Sequence, residues 1–242
     1  MRVIKIGGRE LDDPAFLEGL VGALRRMAPP PVLVHGGGNV VSAWQQRLGL
    51  TPRYVDGLRV TDGETLDVAV MTLAGLTNKQ LVAALQQAGI PALGLCGADL
   101  GLVQVAPVPG LGRVGKPVAV AAAPLARWMA EGIVPVVAPI GLGPEGLYNV
   151  NADSMAGAIA AAFPAEELLF LTDVPGVLVA GRVRPHLTPA EAEALIAAGI
   201  IRDGMVPKVR AALEALAAGV RRVRIADLGG AAGGGTSIVP EG

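Results

Sequence analysis

Cysteine is almost absent from this 242-residue chain: Cys96 stands alone. An internal disulfide is excluded, and a reducing, cytoplasmic setting is the expectation. Aromatic residues are nearly as scarce, 3% against 52% hydrophobic, so the core must be built from aliphatic side chains and alanine. Surplus charge is missing too. The formal net charge is -1, which leaves no basic footprint for nucleic acid or for an acidic membrane. No apolar run free of Gly, Pro and charge approaches the ~20 residues of a membrane-spanning helix, and no signal-peptide pattern precedes the first apolar run at Val3. His35 and His186 are the only histidines, and no His/Cys cluster suggests a metal held by the chain's own side chains. No G-x-S-x-G elbow or other nucleophile signature occurs. The partner expected is a small molecule or a protein, not nucleic acid or membrane.

Lysine is rare as well. Of 20 basic residues only Lys5, Lys79, Lys116 and Lys208 are lysines, and only four asparagines occur, at 39, 78, 149 and 151. A chain that uses arginine wherever a generic positive surface suffices retains lysine where a compact ammonium is needed.

What the chain does have is glycine and proline, 34 and 19 residues, dispersed between short apolar runs as turn signals. The runs 2–6, 31–35, 90–95, 133–141, 166–174 and 220–227 read as strands. Ala/Leu-rich helical stretches alternate with them. Asp13 and Pro14 open one helix, and Thr188 and Pro189 another, as cap and first residue. Residues 63–89 read as helical in two pieces around Gly75, and 102–120 as an antiparallel hairpin region. Alternating strands and helices predict an α/β fold with a mostly parallel sheet covered on both faces. Ligands of such sheets bind beyond the strand C-termini.

The turns at those ends carry the candidates. "VHGGGN" (34–39) lacks the lysine and Ser/Thr of a Walker loop and the spacing of a dinucleotide fingerprint. A strand, Gly36–Gly37–Gly38 and a helix start remain, which offer backbone N–H groups to an anion. "IKIGG" (4–8) repeats the theme, with Lys5 inside an apolar strand, a costly placement unless its ammonium meets an anion. In "NVNAD", Asn151 or Asp153 could serve as a helix cap or contact a ligand. Lys208 falls in the first turn of a helix, where positive charge opposes the dipole. Asp173 ends another strand, and Arg59 is a possible carboxylate clamp. Anion-binding turns, placed lysines and no evident base or covalent nucleophile together match phosphoryl transfer to a carboxylate. Such an acceptor, with pKa about 4.3, is already ionised at neutral pH. Its difficulty is charge repulsion, which lysines and N–H groups screen.

In this order, "KIGG", "VHGGG", "GLRVT", "NVNAD", "TDVPGV", "GIIRDGMVPKV" and "GGTSIV" resemble the amino acid kinase family nearly end to end, in its branch acting on N-acetyl-L-glutamate. The resemblance implies a three-layer αβα sandwich with an open, mainly parallel sheet of about eight strands. It implies transfer of the ATP γ-phosphate to the side-chain carboxylate of N-acetyl-L-glutamate, the second step of arginine synthesis. Residues 1–165 would form a substrate-binding and homodimerising lobe, and residues 166–242 a nucleotide-binding lobe. Lys5 and Lys208 would stabilise charge, with Asp153 orienting both. Gly37 and Gly38, with Gly7 and Gly8 as phosphate loop, would line the reacting groups. Arg59 and Asn149 would hold the substrate's α-carboxylate. Asp173, Val174, Pro175, Gly176, Val177 and Leu178, with Ile200, Ile201 and Arg202, would line the nucleotide. Mg2+ would ride on the ATP phosphates. Arg202 stands where the family often has a small hydroxyl residue, and Pro207 before Lys208 is unusual. The start of the chain two residues before its first strand sets the expectation of a dimer insensitive to arginine.

Three other readings make different demands. A kinase of carrier-linked aminoadipate or glutamate would need basic patches and altered Gly and Arg segments. A non-catalytic sensor would have lost Lys5, Asp153 or Lys208. A nicotinamide oxidoreductase would need the absent glycine fingerprint.

Overall fold

The computed structural model describes residues 1–163 and 165–239. The chain folds as β1 (Arg2–Ile6), α1 (Pro14–Leu24), β2 (Val32–His35), α2 (Gly38–Arg47), β3 (Tyr54–Val55), β4 (Leu58–Arg59) and α3 (Gly63–Ala69), followed by a π-helical stretch, Val70–Thr77, and α4 (Asn78–Gln87). Next come β5 (Ala92–Cys96), β6 (Val103–Pro107), β7 (Val114–Val120), α5 (Ala123–Ala130), β8 (Val134–Ala138), β9 (Ile140–Gly143), β10 (Gly146–Val150) and α6 (Ala152–Ala162). The remainder is β11 (Glu167–Leu171), β12 (Leu178–Val179), β13 (Arg182–Val183), β14 (His186–Leu187), α7 (Pro189–Ala197), α8 (Met205–Ala217), β15 (Val223–Ala226) and β16 (Thr236–Ile238).

The main sheet has eight strands in the order β14-β16-β15-β11-β1-β2-β8-β5. All its neighbours pair in parallel except β15 and β16. Alternation along the strands divides two cores. Val3, Val34, Leu168, Phe170 and Ile225 face the apolar sides of α5, α6 and α8, while Ile4, Ile6, Leu33, Leu169 and Leu171 face α1 and α4. Side chains of period two buried on both faces are what a covered parallel sheet requires. The expected α/β sandwich and its eight strands are therefore present. Both proposed helix starts are formed: Asp13 accepts from Ala15 N at 2.9 Å before Pro14, and Thr188 makes a capping box with Glu191 before Pro189.

A smaller closed unit, β10-β7-β6-β9, sits beside the sheet. Its β6–β7 pair is the expected antiparallel hairpin. The run 133–141, read as one strand, is two: Pro139 supplies no N–H, and the chain passes there from the main sheet in β8 to the small unit in β9.

Residues Gly63–Gln87 form one continuous helix rather than two pieces. Gly75 does not break it. The hydrogen bonds shift register instead, with Asn78 N–H reaching Leu73 O five residues back. By length and apolarity this helix could cross a membrane. Here its Val68, Leu73, Leu81 and Leu85 are buried in the core of the fold.

Candidate active site

Two glycine turns meet at the C-terminal ends of the adjacent strands β1 and β2. Gly36 N donates to Ile6 O at 2.8 Å and ties the turns together. A Cβ on Gly8 would lie 2.6 Å from Gly37 N, and one on Gly37 2.6 Å from Leu73 Cδ2. Gly37 also has φ +152°, a conformation open to glycine alone in practice. The N–H groups of Gly37 and Gly38 have no protein acceptor among the described residues, since Gly38 begins α2 and its N–H belongs to the unpaired first turn.

Lys5 shares the face of β1 that packs on α6. Its Nζ lies 2.8 Å from Asp153 Oδ1, with side-chain exposures of 8% and 10%. The contact is an ion pair without hydrogen-bond alignment, for that oxygen has no aligned donor. Asn151 and Asp153 divide the two roles that the sequence left open. Asn151 is the cap of α6, and its Oδ1 accepts from Asp153 N at 2.9 Å and Ser154 N at 3.0 Å. Asp153, freed from capping, turns its carboxylate to Lys5. A buried ammonium is tolerable only with such a partner.

Arg59 is buried at the end of β4. Its Nη2 donates to Gly38 O at 2.8 Å and Ser42 Oγ at 2.9 Å, and its Nη1 to Gln45 Oε1. The guanidinium lies over the Tyr54 ring, 4.9 Å from its centroid. Burial lowers its pKa, yet at so high a starting value it stays charged. Asn149 Nδ2 donates to Thr61 Oγ1 at 3.1 Å, and Thr61 Oγ1 donates in turn to Arg59 O at 2.9 Å.

A cavity of about 290 Å³ is lined by Lys5, Gly8, Gly37, Gly38, Arg59, Asn149 and Asp153 together with apolar Val41, Leu73 and Val114. Polar anchors on an otherwise apolar wall are the usual form of a small-molecule site. The sequence-predicted acceptor residues thus come together, with Gly7 adjoining them at the end of β1.

None of the nucleotide candidates lines this cavity. Lys208 is on the first turn of α8, where its Nζ donates to Gly204 O at 3.2 Å. Of the two lysines expected to share Asp153, only Lys5 is paired with it among the described residues. Asp173, Val174, Pro175 and Gly176 follow β11. Thr172 Oγ1 donates to Asp173 Oδ1 at 3.0 Å, and Val177 N to Thr236 Oγ1 at 2.8 Å. Val177 and Ile201 are buried in the core, whereas Leu178, Ile200 and Arg202 are exposed.

Sequence reasoning missed the residues that hold Arg59: Ser42, Gln45 and Tyr54 are ordinary polar residues with no telling pattern. It also missed a buried network behind the glycines. His35 Nδ1 lies 2.8 Å from Gly36 O, and its Nε2 lies 3.2 Å from Asn78 Nδ2. Asn78 Nδ2 also donates to Val136 O at 2.9 Å, and Lys79 Nζ donates to Asn78 Oδ1 at 3.0 Å and Gly94 O at 2.8 Å. The rarity of lysine and asparagine was the available signal for two of these residues.

The chain is similar to known proteins along nearly its whole length. Residues 1–227 match the Amino acid kinase family. Acetylglutamate kinase from Roseiflexus sp. is 51% identical over 243 residues, spanning 99% of this chain and 93% of that protein. Acetylglutamate kinase from Chloroflexus aurantiacus is 53% identical over 240 residues, spanning 97% and 94%. Among solved structures, smu.665 from Streptococcus mutans UA159 superposes with a TM-score of 0.85 at 29% identity, over 98% of each chain. N-acetylglutamate synthase from Neisseria gonorrhoeae, complexed with coenzyme A and N-acetyl-glutamate, gives 0.82 at 26% identity, over 100% of this chain and 59% of that one.

Proposed function

The chain belongs to the amino acid kinase family, and from that premise we propose that it transfers the γ-phosphoryl group of ATP to the side-chain carboxylate of N-acetyl-L-glutamate. The product is N-acetyl-L-glutamyl 5-phosphate, an intermediate of arginine synthesis. Identity of about half to acetylglutamate kinases over nearly the whole chain supports this reading. The observation that carries it in the molecule is the cavity with a cation at two separate points, Arg59 and Lys5. N-acetyl-L-glutamate has a carboxylate at each end, and each cation takes one.

The acceptor carboxylate needs no general base, because it is ionised at neutral pH. The barrier lies in bringing this anion against a triphosphate. Arg59 and Asn149 fix the α-carboxylate. The free N–H groups of Gly37 and Gly38, with Gly7 and Gly8 opposite, receive the transferring oxygens. Lys5 neutralises the charge developing on them, and Asp153 fixes its ammonium in place. Fixed donors of this kind need not reorganise as the reaction proceeds. Residues 166–242 hold the nucleotide through Asp173–Leu178 and Ile200–Arg202, and Lys208 meets its phosphates. Mg2+ would arrive with ATP and would supply charge neutralisation at its phosphates.

The reading extends to a cytoplasmic homodimer. Met71 and Leu76 are exposed on the helix of residues 63–87, and Leu93 is exposed on β5, the edge strand beside it. This apolar surface in the lobe of residues 1–165 suits a second copy of the chain.

The test is direct. With MgATP and N-acetyl-L-glutamate the purified protein should release ADP and yield a product that hydroxylamine traps as a hydroxamate. Activity confined to carrier-linked aminoadipate or glutamate would overturn the substrate assignment, and nucleotide binding without turnover would overturn the enzyme.

A further inference from the structure

The Gly36–Gly37 peptide lies between two glycines, so side-chain sterics do little to fix which way it faces. In a planar trans peptide the carbonyl oxygen and the following N–H point in opposite directions. With Gly36 O turned toward His35, Gly37 N–H is turned away from the ring, and Gly8, Gly36 and Gly37 all line the cavity. The reverse orientation would aim a carbonyl oxygen at an incoming anion.

We propose that His35 is a positioning residue that holds the Gly36–Gly37 peptide with its N–H facing the transferred phosphoryl group, through a hydrogen bond donated by Nδ1 to Gly36 O. The proposal rests on the phosphoryl-transfer reading above. The proton's place on the ring follows from the surroundings. Asn78 is oriented from both ends: Lys79 Nζ donates to its Oδ1, and its Nδ2 donates to Val136 O. Gly36 O can only accept, so Nδ1 carries the hydrogen. Nε2 is then the acceptor and lies 3.2 Å from Asn78 Nδ2, whose second hydrogen it shares with Leu95 O at 3.4 Å. Both His35 and Asn78 are completely buried, and water does not compete for these bonds. Burial also pulls the His35 pKa from 6.5 to about 4, with Lys79 adding to the fall. The ring is accordingly neutral at physiological pH, with one donor and one acceptor. The network reaches from β2 through α4 to backbone carbonyls of β8 and β5, so the loop is braced by the sheet and not by its own residues.

Two variants separate positioning from packing. In His35→Asn the amide nitrogen falls where Nδ1 was, and the donor to Gly36 O is kept. In His35→Gln the longer side chain reaches the Nε2 position and sets its amide oxygen there, so the acceptor for Asn78 Nδ2 is kept and the donor to Gly36 O is lost. The Gln variant should lose about 100-fold in kcat, the scale of one removed oxyanion donor, with KM for N-acetyl-L-glutamate changed far less. The Asn variant should stay within about threefold of wild-type kcat, the conservative rescue expected of a positioning group. Wild-type kcat in the Gln variant overturns the proposal. So do equal kcat losses in both variants that follow their urea midpoints. The ring itself gives a readout independent of turnover. With two histidines in the chain, 15N NMR of the wild-type imidazoles should show His35 protonated at Nδ1, and protonation at Nε2 overturns the proposal. If the wild-type protein fails to phosphorylate N-acetyl-L-glutamate, the functional reading fails while the ring spectrum still decides the geometry.

Discussion

Arg59 is the clearest case of a side chain whose function depends on how it is held. Three acceptors and the Tyr54 ring fix its guanidinium, and its remaining N–H groups are left to the cavity it lines. A lysine could present charge but not the planar fork. Arg59→Lys should therefore raise KM for N-acetyl-L-glutamate about 10- to 100-fold while reducing kcat less, read from initial rates at saturating ATP. Lys208 differs: half-buried on the first turn of α8, it holds only a carbonyl. Lys208→Arg should cost most of kcat with little change in the thermal midpoint, because the wider fork cannot replace a compact charge at a phosphate. Wild-type turnover would remove Lys208 from the mechanism. Lys5 was legible because an ammonium in an apolar strand demands an anion, and Asp153 supplies it. The division of labour between Asn151 and Asp153 was not legible, since either residue type can cap a helix.

At the scale of elements, the junctions of β1 and β2 with their glycine turns set how closely two backbones approach. Gly37→Ala should fail on two counts, the positive φ and the collision of its Cβ with Leu73. We expect a loss of about 1–3 kcal/mol in urea unfolding and a larger proportional loss in kcat. Leu73→Ala in the same chain should relieve the collision but not the strain, so stability returns only in part. Much of the fold at this level was open to reading. Caps at Asp13 and Thr188, alternating strands and the 102–120 hairpin all follow from local chemistry. The division at Pro139 was not, because an apolar run does not reveal that its halves belong to different sheets. Nor was the continuity of the helix through Gly75. Local propensity disfavours glycine there, and packing on both sides outweighs it: Leu73 lies against the Gly37 turn, and Leu81 and Leu85 lie under the sheet. That Lys5, Gly37, Gly38 and Asp153 would share one cavity was readable because they fall at or just beyond strand ends. Of the nucleotide candidates, Asp173–Leu178 was suggested by its place at a strand end, while Ile200–Arg202 was carried by resemblance alone, as residues partly core and partly exposed.

For the whole molecule, two properties depend on more than the site. If the exposed Met71 and Leu76 are covered by a second copy, Met71→Asp with Leu76→Asp should shift the protein from dimer to monomer in analytical ultracentrifugation, because unpaired charge in an apolar interface costs several kcal/mol. A wild-type monomer would exclude this interface. The second property is acid stability. The His35 pKa falls from 6.5 to about 4 in the folded protein, so between those values the unfolded chain binds a proton that the folded one does not. The stabilisation is complete above the unfolded pKa and is lost as pH falls through 6.5 toward about 4. Between about pH 7.5 and about pH 4.5 the loss should reach roughly 2.5 kcal/mol. Carboxylates contribute lower on the scale: hydrogen bonds from Thr65 hold Asp62 below its ordinary value, and Thr188 does the same for Glu191, so their share is lost only under more acid conditions. His35→Asn removes the titrating ring and keeps the donor. Urea unfolding of both proteins at the two pH values should therefore show a steep loss for wild type and a shallow one for the variant, while parallel losses would mean that the buried imidazole is not what makes this fold sensitive to acid.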